Sequence, residues 1–463
     1  MGKPLKEIAN LNEVAVNKDT WFTKQKNGKT IIVANFGHLN PNQELAEINV
    51  RPAAFSAMNS NVSYIVLDGF KISQIACPMA TIDGKQPGAI ATNGGTYWLI
   101  QNCSLSDCKS VAISIGQTGH SYPNAGPGNP EYRDLSRNIS EVGHHVIRHN
   151  HIFRCGQAGI YGLLHGTCSE ISGNLIEDIN GNNEFPTEET AGIRLALAVD
   201  VIVKHNLIRR VNGTSVGGYG LFLGPLFQGA RISGNVISDT KNSCIYLYNN
   251  HGPALFDNNI LSGPGKLTKE GVKMVGAEAN VFVQNLFYNC GFSNIRIPGK
   301  TFATSNYLAH SLVIKQTIPA LPFDDRWYSN LFIKGGLDQS GSDAGCEVDY
   351  NAYMEGASKC SMGDRHSQEV IGSAGFKLVN SVYGVGLNLN YRTIPKVFCP
   401  TMTPSFIGFF TLSKQFIEYP DGKAITIDKD FLENTITESS RYPGPFYRYS
   451  GLSRIGQLFN YQK

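Results

Sequence analysis

The feature that most limits how this chain can fold is a phrase that keeps returning. "EISGNLIE" around Asn174 and "RISGNVIS" around Asn235 are near-copies, and related phrases put Asn150, Asn206, Asn259 and Asn285 in the same slot. Weaker copies place Cys103, Asn330, Asn351 and Asn380 there. From Asn150 to Asn285 the steps are 24, 32, 29, 24 and 26 residues. A period of that length signals a solenoid of similar stacked turns. Inside each phrase apolar and polar residues alternate, then comes Asn, then another short apolar stretch. That is strand patterning of period two, rich in β-branched residues, with no helical period sustained between phrases. Asn tolerates the left-handed backbone of a tight corner, and asparagines stacked coil on coil can hydrogen-bond along the axis. The Leu ladder of a leucine-rich repeat is missing. The pattern therefore predicts an all-β chain forming a parallel β-helix, with a sandwich of short strands as the competing fold.

Two steps are too long for a single coil. Cys103 to Asn150 spans 47 residues and Asn285 to Asn330 spans 45. Long loops leaving a rigid scaffold tend to border its working face. The repeat fades after about residue 385. "FIEYPDGKAITIDKDFL" reads as a hairpin turning at Asp421-Gly422, and "SRYPGPFYRYSG" as a packed aromatic tail. The expected division is a β-rich lead-in over 1–60, the β-helix over 61–385 and a small β-rich cap over 386–463, since an open stack of strands needs closing.

Composition narrows the partners. Lys+Arg number 40 against 37 Asp+Glu, a formal net charge of +3, too balanced for nucleic acid as the main partner. No apolar run approaches the roughly 18 residues of a membrane helix. The start lacks the apolar stretch of a secretion signal, so the reading is cytoplasmic, or exported if the natural N-terminus is missing. Ten cysteines form no CxxC pair with a matching His partner, and several, such as Cys155, Cys244 and Cys290, sit in apolar phrases as buried thiols would. No metal and no cofactor is expected.

The residues with chemistry gather in the middle coils. "TEETAGIRLALAVD" supplies Glu188, Glu189, Arg194 and Asp200; "GGYGLFLGPLFQG" supplies Tyr219; "IYLYNNHGP" supplies Tyr246, Tyr248, Asn249, Asn250 and His251. "GHSYP" adds His120 and Tyr122, and "GLLHG" adds His165. Matching points of successive coils stack about 4.8 Å apart, so these groups can share one face. Rings for the apolar face of a sugar, with amides, His and carboxylates for its hydroxyls, suit a glycan site.

The stretches "ANFGHLNPNQELAEINVRP", "GQAGIYG", "ETAGIRL", "GLFLGPLFQGARISGN", "LYNNHGPALFDNNILS", "DDRWYSNLFI" and "YPDGKAITIDKDF" together resemble glycoside hydrolase family 120 from about residue 30 onward. The resemblance implies a right-handed parallel β-helix and a β-xylosidase-like, exo-acting glycosidase acting on oligosaccharide or polysaccharide ends. Such retaining enzymes use two carboxyl groups about 5–5.5 Å apart. Carried over residue by residue, the family's supporting glutamate matches Glu189 and the histidine of its "NHGP" motif matches His251. Its nucleophile aspartate falls on Gly224, its acid/base glutamate on Tyr248, and a further histidine on Ala196. Glycine cannot attack an anomeric carbon, and a tyrosine of ordinary pKa near 10 is a poor acid or base at neutral pH.

Three readings follow. The chain binds sugar without turnover, or it is a glycosidase with rebuilt chemistry drawing on Glu188, Glu189 or Tyr248, or it is a non-hydrolytic β-helix enzyme such as a lyase with Arg194 as base. His120, Tyr122, His165, Arg194, Tyr219, Tyr246, Asn249 and Asn250 are the expected sugar contacts. The family's N-terminal coils and inserted β-sandwich have no counterpart ahead of "ANFG" at 34–37, and an exposed first coil would favour a homodimer.

Overall fold

The computed structural model describes residues 5–60, 62–81, 86–116, 138–263, 270–295, 303–319, 324–337, 346–360, 363–382, 384–437, 440–447 and 454–460. Between Phe55 and Val370 the chain coils through three parallel sheets, every neighbouring pair of solenoid strands running parallel. The first sheet contains Val111–Ser114, Ala158–Gly162, Ala191–Leu195 and Tyr219–Leu223, continued by the early part of Ile245–Asp257 and of Glu270–Val283. The second holds Val146–Arg148, Glu170–Ser172, Ile202–Lys204 and Ala230–Ser233. The third holds His151–Phe153, Leu175–Ile179, Leu207–Val211 and Val236–Thr240. Among the described residues no helix is long and apolar enough to cross a membrane.

The recurring asparagine makes the corner between the second and third sheets. Each side-chain amide donates to the side-chain oxygen of the next coil's asparagine, running from Asn150 through Asn174, Asn206, Asn235, Asn259, Asn285 and Asn330 to Asn351 at 2.9–3.1 Å. That same oxygen accepts the backbone N–H of the asparagine below it, as Asn206 does from Asn174 at 3.0 Å. Cys103 ends the ladder by giving its N–H to Asn150 at 3.0 Å. Asn380 does not belong. It lies in Lys377–Ser381, which pairs antiparallel with Gly384–Asn388. Its apolar-polar alternation is real, but the partner is a hairpin strand and not a coil.

The inward residues of the second sheet form one stacked row: Ile100, Ile147, Ile171, Val203, Ile232, Phe256, Phe282, Trp327 and Val348. All are at most 4% exposed, and each such side chain contributes about 1.5–3 kcal/mol by leaving water. Phe282 and Trp327 stack at 3.9 Å.

The coil is covered along its length. The outward residue after each ladder asparagine from Asn174 to Asn330 is apolar (Leu175, Leu207, Val236, Ile260, Leu286, Leu331), and this row packs against Val385, Leu387, Phe431 and Phe446. Leu255, Val281, Val283 and Tyr328, outside the second sheet, pack against Met402, Ile407, Phe410 and Ile425. The C-terminal region therefore wraps two flanks. Its hairpin turns at Gly422, whose left-handed φ of +76° closes the Glu418–Ala424 pairing. A second hairpin, Ala303–Tyr307 with Ile314–Pro319, lies in the long gap between Asn285 and Asn330. A third, Thr20–Lys26 with Lys29–Asn35, is tied to the solenoid by the Lys109–Glu7 ion pair and by Lys109 over Trp21 at 5.4 Å.

Candidate functional site

Strand pleating sends alternate residues of the first sheet outward. Successive coils thereby align Tyr161, Arg194, Phe222, Tyr246, Lys273 and Ser293 in one external row. Arg194 is 1% exposed and is spent on the protein. Its Nε donates to Glu189 Oε2 at 2.7 Å and its Nη2 to Glu189 Oε1 at 3.3 Å, while Nη1 donates to the carbonyls of Gly224 and Leu195 at 2.6 and 3.0 Å. The Tyr161 hydroxyl donates to Glu189 Oε2 at 2.9 Å. A two-pronged Arg–carboxylate contact of this kind fixes geometry as well as charge. Glu189 is held, and Arg194, fully committed, has no capacity to act as a base.

The rings next in the row use up one another's faces. The Arg194 guanidinium lies 3.7 Å over Phe222, Phe222 stacks on Tyr246 at 4.6 Å, and Lys273 Nζ stands 5.0 Å from the Tyr246 centroid. Tyr219 leans on Tyr246 at 4.7 Å. A sugar at this surface would meet ring edges and hydroxyls, not open aromatic faces. The rings meet one another because successive coils are only about 4.8 Å apart. Tyr219, Phe222 and Tyr246 are buried, whereas Tyr248 is half-buried and Glu188 exposed. Burial, and then the Glu188 charge, pushes the Tyr219 phenol up to about 12 and raises that of Tyr248. Tyr246 is also raised, by burial and then by its neighbour Tyr219. At neutral pH all three hydroxyls keep their protons.

Gly224 closes the strand with a φ of +117°, a conformation that side chains other than glycine's rarely tolerate. A Cβ built there would run into the Tyr248 carbonyl and lie 2.6 Å from Asn250 Oδ1. Asn250 is engaged in holding this turn: its amide donates to Leu223 O at 3.0 Å and its oxygen accepts the Phe227 N–H at 3.1 Å. Asn249 is buried, and its Oδ1 is without a hydrogen-bond partner among the described residues. His251 is buried against Glu278 of the next coil, Nδ1 to Oε1 at 2.6 Å. His165 sits buried in the short 3-10 turn Leu164–Gly166. Burial, and then the nearby His165, holds His145 down to about 3. His120 and Tyr122 lie outside the described residues. Among the described residues no three His, Cys, Asp or Glu side chains gather as a metal would require.

Glu188, Glu189, Arg194, Tyr219, Tyr246 and Tyr248 thus share the first sheet's outer side. Asn249, Asn250, His251 and His165 belong to the turns at its edge. Sequence reasoning missed Tyr161, Phe222, Lys273 and Ser293. Their signal was available in the spacing: Tyr161, Arg194, Phe222, Tyr246 and Lys273 precede the ladder asparagine of their own coil by 13, 12, 13, 13 and 12 residues.

Parallel strands in three sheets around one core, with an asparagine ladder at a corner, define the class: this is a right-handed parallel β-helix protein. Residues 88–261 match the family described as right handed beta helix region. Among solved structures, XylC in complex with xylose superposes with a TM-score of 0.81 at 24% identity, over 96% of this chain and 77% of XylC. DFA-IIIase from Arthrobacter chlorophenolicus A6 in complex with GF2 matches at 14% identity over 70% of this chain and 65% of its own, with a TM-score of 0.33. A tailspike protein mutant of E. coli bacteriophage HK620 in complex with pentasaccharide matches at 9% identity over 74% and 68%, with a TM-score of 0.34. No curated protein matches the chain.

Proposed function

We propose that this chain is a carbohydrate-directed relative of the family 120 β-helix glycosidases that binds a glycan end on the outer side of its first sheet without two-carboxylate hydrolysis. The observation that carries this reading is the pairing of a fixed Glu189 with a backbone at Gly224 that leaves no room for a side chain. The family's supporting carboxylate has its counterpart, oriented by Arg194 and Tyr161; its nucleophile has none. Tyr248, at the acid/base position, has a raised pKa, so it donates a hydrogen bond but supplies neither a ready proton nor an attacking phenolate. A tyrosine nucleophile needs a carboxylate to take its proton, and Glu188 makes no hydrogen bond to Tyr248 while raising its pKa. The likeness to XylC bound to xylose makes a xylose-shaped pyranose the first ligand to try.

Titration calorimetry and saturation-transfer NMR with methyl β-xyloside test binding, and 4-nitrophenyl β-xyloside tests turnover. Saturable binding is expected, with no cleavage above the blank. Tyr246→Phe should weaken binding by about three- to tenfold, the worth of one hydrogen bond. Cleavage that disappears in Glu188→Gln would overturn the non-hydrolytic reading, and the absence of binding by any sugar would overturn the glycan reading.

A further inference from the structure

Beyond Tyr246 the external row continues to Lys273 and Ser293, and among the described residues neither side chain has an ion pair or a hydrogen bond. Lys273 is half-buried, stands 5.0 Å from the Tyr246 ring and makes no ion pair within the described residues. Arg194, the other cation of the row, differs in this respect, because Glu189 neutralises it. Next in register after Lys273 comes Ser293, whose Oγ is withdrawn from solvent, beyond a ligand's reach, and has no hydrogen-bond partner among the described residues. A half-buried lysine without a counter-ion among the described residues is a place that an anion can complete. The Tyr246 and Tyr248 phenols also lack partners among the described residues, and both remain protonated and able to donate.

The charges on this surface are unevenly placed. Glu188 acts on Tyr219, Tyr246 and Tyr248, and Glu270 acts on Tyr219. The acidic side is therefore suited to accepting hydrogen bonds from sugar hydroxyls. Lys273 follows one coil beyond Tyr246, about 4.8 Å along the axis and within the span of one sugar ring.

Resting on the glycan reading above, we infer that the ligand is an acidic sugar: Lys273, with the Tyr246 and Tyr248 hydroxyls, takes the carboxylate of a uronic acid, while the neutral hydroxyls face Glu188. Lys273 is then the residue that sets specificity. The probe series is methyl β-xyloside, methyl β-glucoside and methyl β-glucuronide. They share one ring stereochemistry and carry hydrogen, hydroxymethyl or carboxylate at C5.

Calorimetry on the full chain should show the glucuronide binding about ten- to a hundredfold more tightly than the glucoside, the range expected for a charge-assisted hydrogen bond. Raising salt should narrow that gap, since a half-buried ion pair is still partly screened. Lys273→Gln should bring the glucuronide-to-glucoside ratio to about one, and Lys273→Arg should keep most of it. Thermal unfolding of both variants checks that they fold. A glucuronide no tighter than the glucoside, or a preference that persists in Lys273→Gln, overturns the inference while leaving neutral-sugar binding intact. Failure of all three sugars to bind overturns the glycan reading and this inference with it.

Discussion

At the scale of single residues the asparagine ladder and the arginine beside it do different work. Asn206 accepts the N–H and the amide of Asn174 and donates to Ile171 O and Asn235 Oδ1, all out of water. Asn206→Ala leaves those buried groups unpaired, and each orphan costs about 1–3 kcal/mol. We expect a loss of about 2–4 kcal/mol in equilibrium unfolding, partly relieved by water entering the corner. A loss below about 1 kcal/mol would mean that the ladder accompanies the fold without stabilising it. Arg194→Lys has another expected signature. A lysine cannot grip Glu189 with two prongs and also reach two carbonyls, so sugar affinity should fall about fivefold or more, measured calorimetrically beside Asn206→Ala, whose corner lies on another side of the coil. The ladder was legible because each Asn repeats inside a recognisable phrase. The external row was half legible. Arg194 and Tyr246 stand out by their chemistry, but Phe222 and Lys273 are unremarkable letters until their distance from the ladder Asn is counted.

At the scale of elements the hairpin Ala303–Tyr307/Ile314–Pro319 shows what a gap in the repeat can and cannot tell. The 45-residue step announced an excursion, but its anchors lie too far away in sequence to be paired by inspection. Gln228 receives the Tyr307 N–H at 3.0 Å and donates to its carbonyl at 3.1 Å. His310 sits between Asp200, Nδ1 to Oδ2 at 2.9 Å, and Glu418, Nε2 to Oε2 at 3.0 Å, joining solenoid, hairpin and C-terminal wrap. The Asp200 bond above all, and then both carboxylate charges, lift the imidazole to about 9 against the loss caused by burial. The folded pKa exceeds the unfolded value of about 6.5, so the stabilisation is complete below that pH and is lost as pH rises through 9. Discounted for the solvent that reaches the ring, the clamp contributes roughly 2 kcal/mol. Thermal unfolding from pH 7 to 10 should therefore show an alkaline decline that is shallower in His310→Gln, which is also less stable at pH 7. Parallel curves for the two proteins would deny the imidazolium its role. Asp200 stood out in the sequence as a carboxylate of the middle coils, and its use as a tether depended on a partner 110 residues on.

At the scale of the whole molecule, a solenoid whose coils touch only their neighbours gains cooperativity from whatever spans many coils. Here that is the C-terminal wrap, and Arg209 is its most buried polar anchor at 2% exposure. Its Nε donates to Glu177 at 2.7 Å, and its Nη atoms donate to Asn380 Oδ1 and to the carbonyls of Ser381, Val382 and Gly384 at 3.0–3.2 Å. Burial pushes the Glu177 acid up, but the hydrogen bonds from His151 and Arg209 outweigh it and hold the carboxyl at about 2. The cationic partner is thus needed at every pH where the protein is folded. Nothing local in "LIRRV" marks the flank that is covered from residues about 170 positions away. Arg209→Ala leaves Glu177 to Arg210 and His151 at 2.7 and 2.9 Å but removes the donor from the oxygens of Asn380, Ser381, Val382 and Gly384, a defect worth about 2–3 kcal/mol. The solenoid's own ladder and core row are untouched by this change, so loss should begin at the wrap. Limited proteolysis should cut first in 377–388, and thermal unfolding should split into two steps, with far-ultraviolet β signal surviving the first. A single cooperative transition, merely shifted, would show instead that wrap and coil form one folding unit.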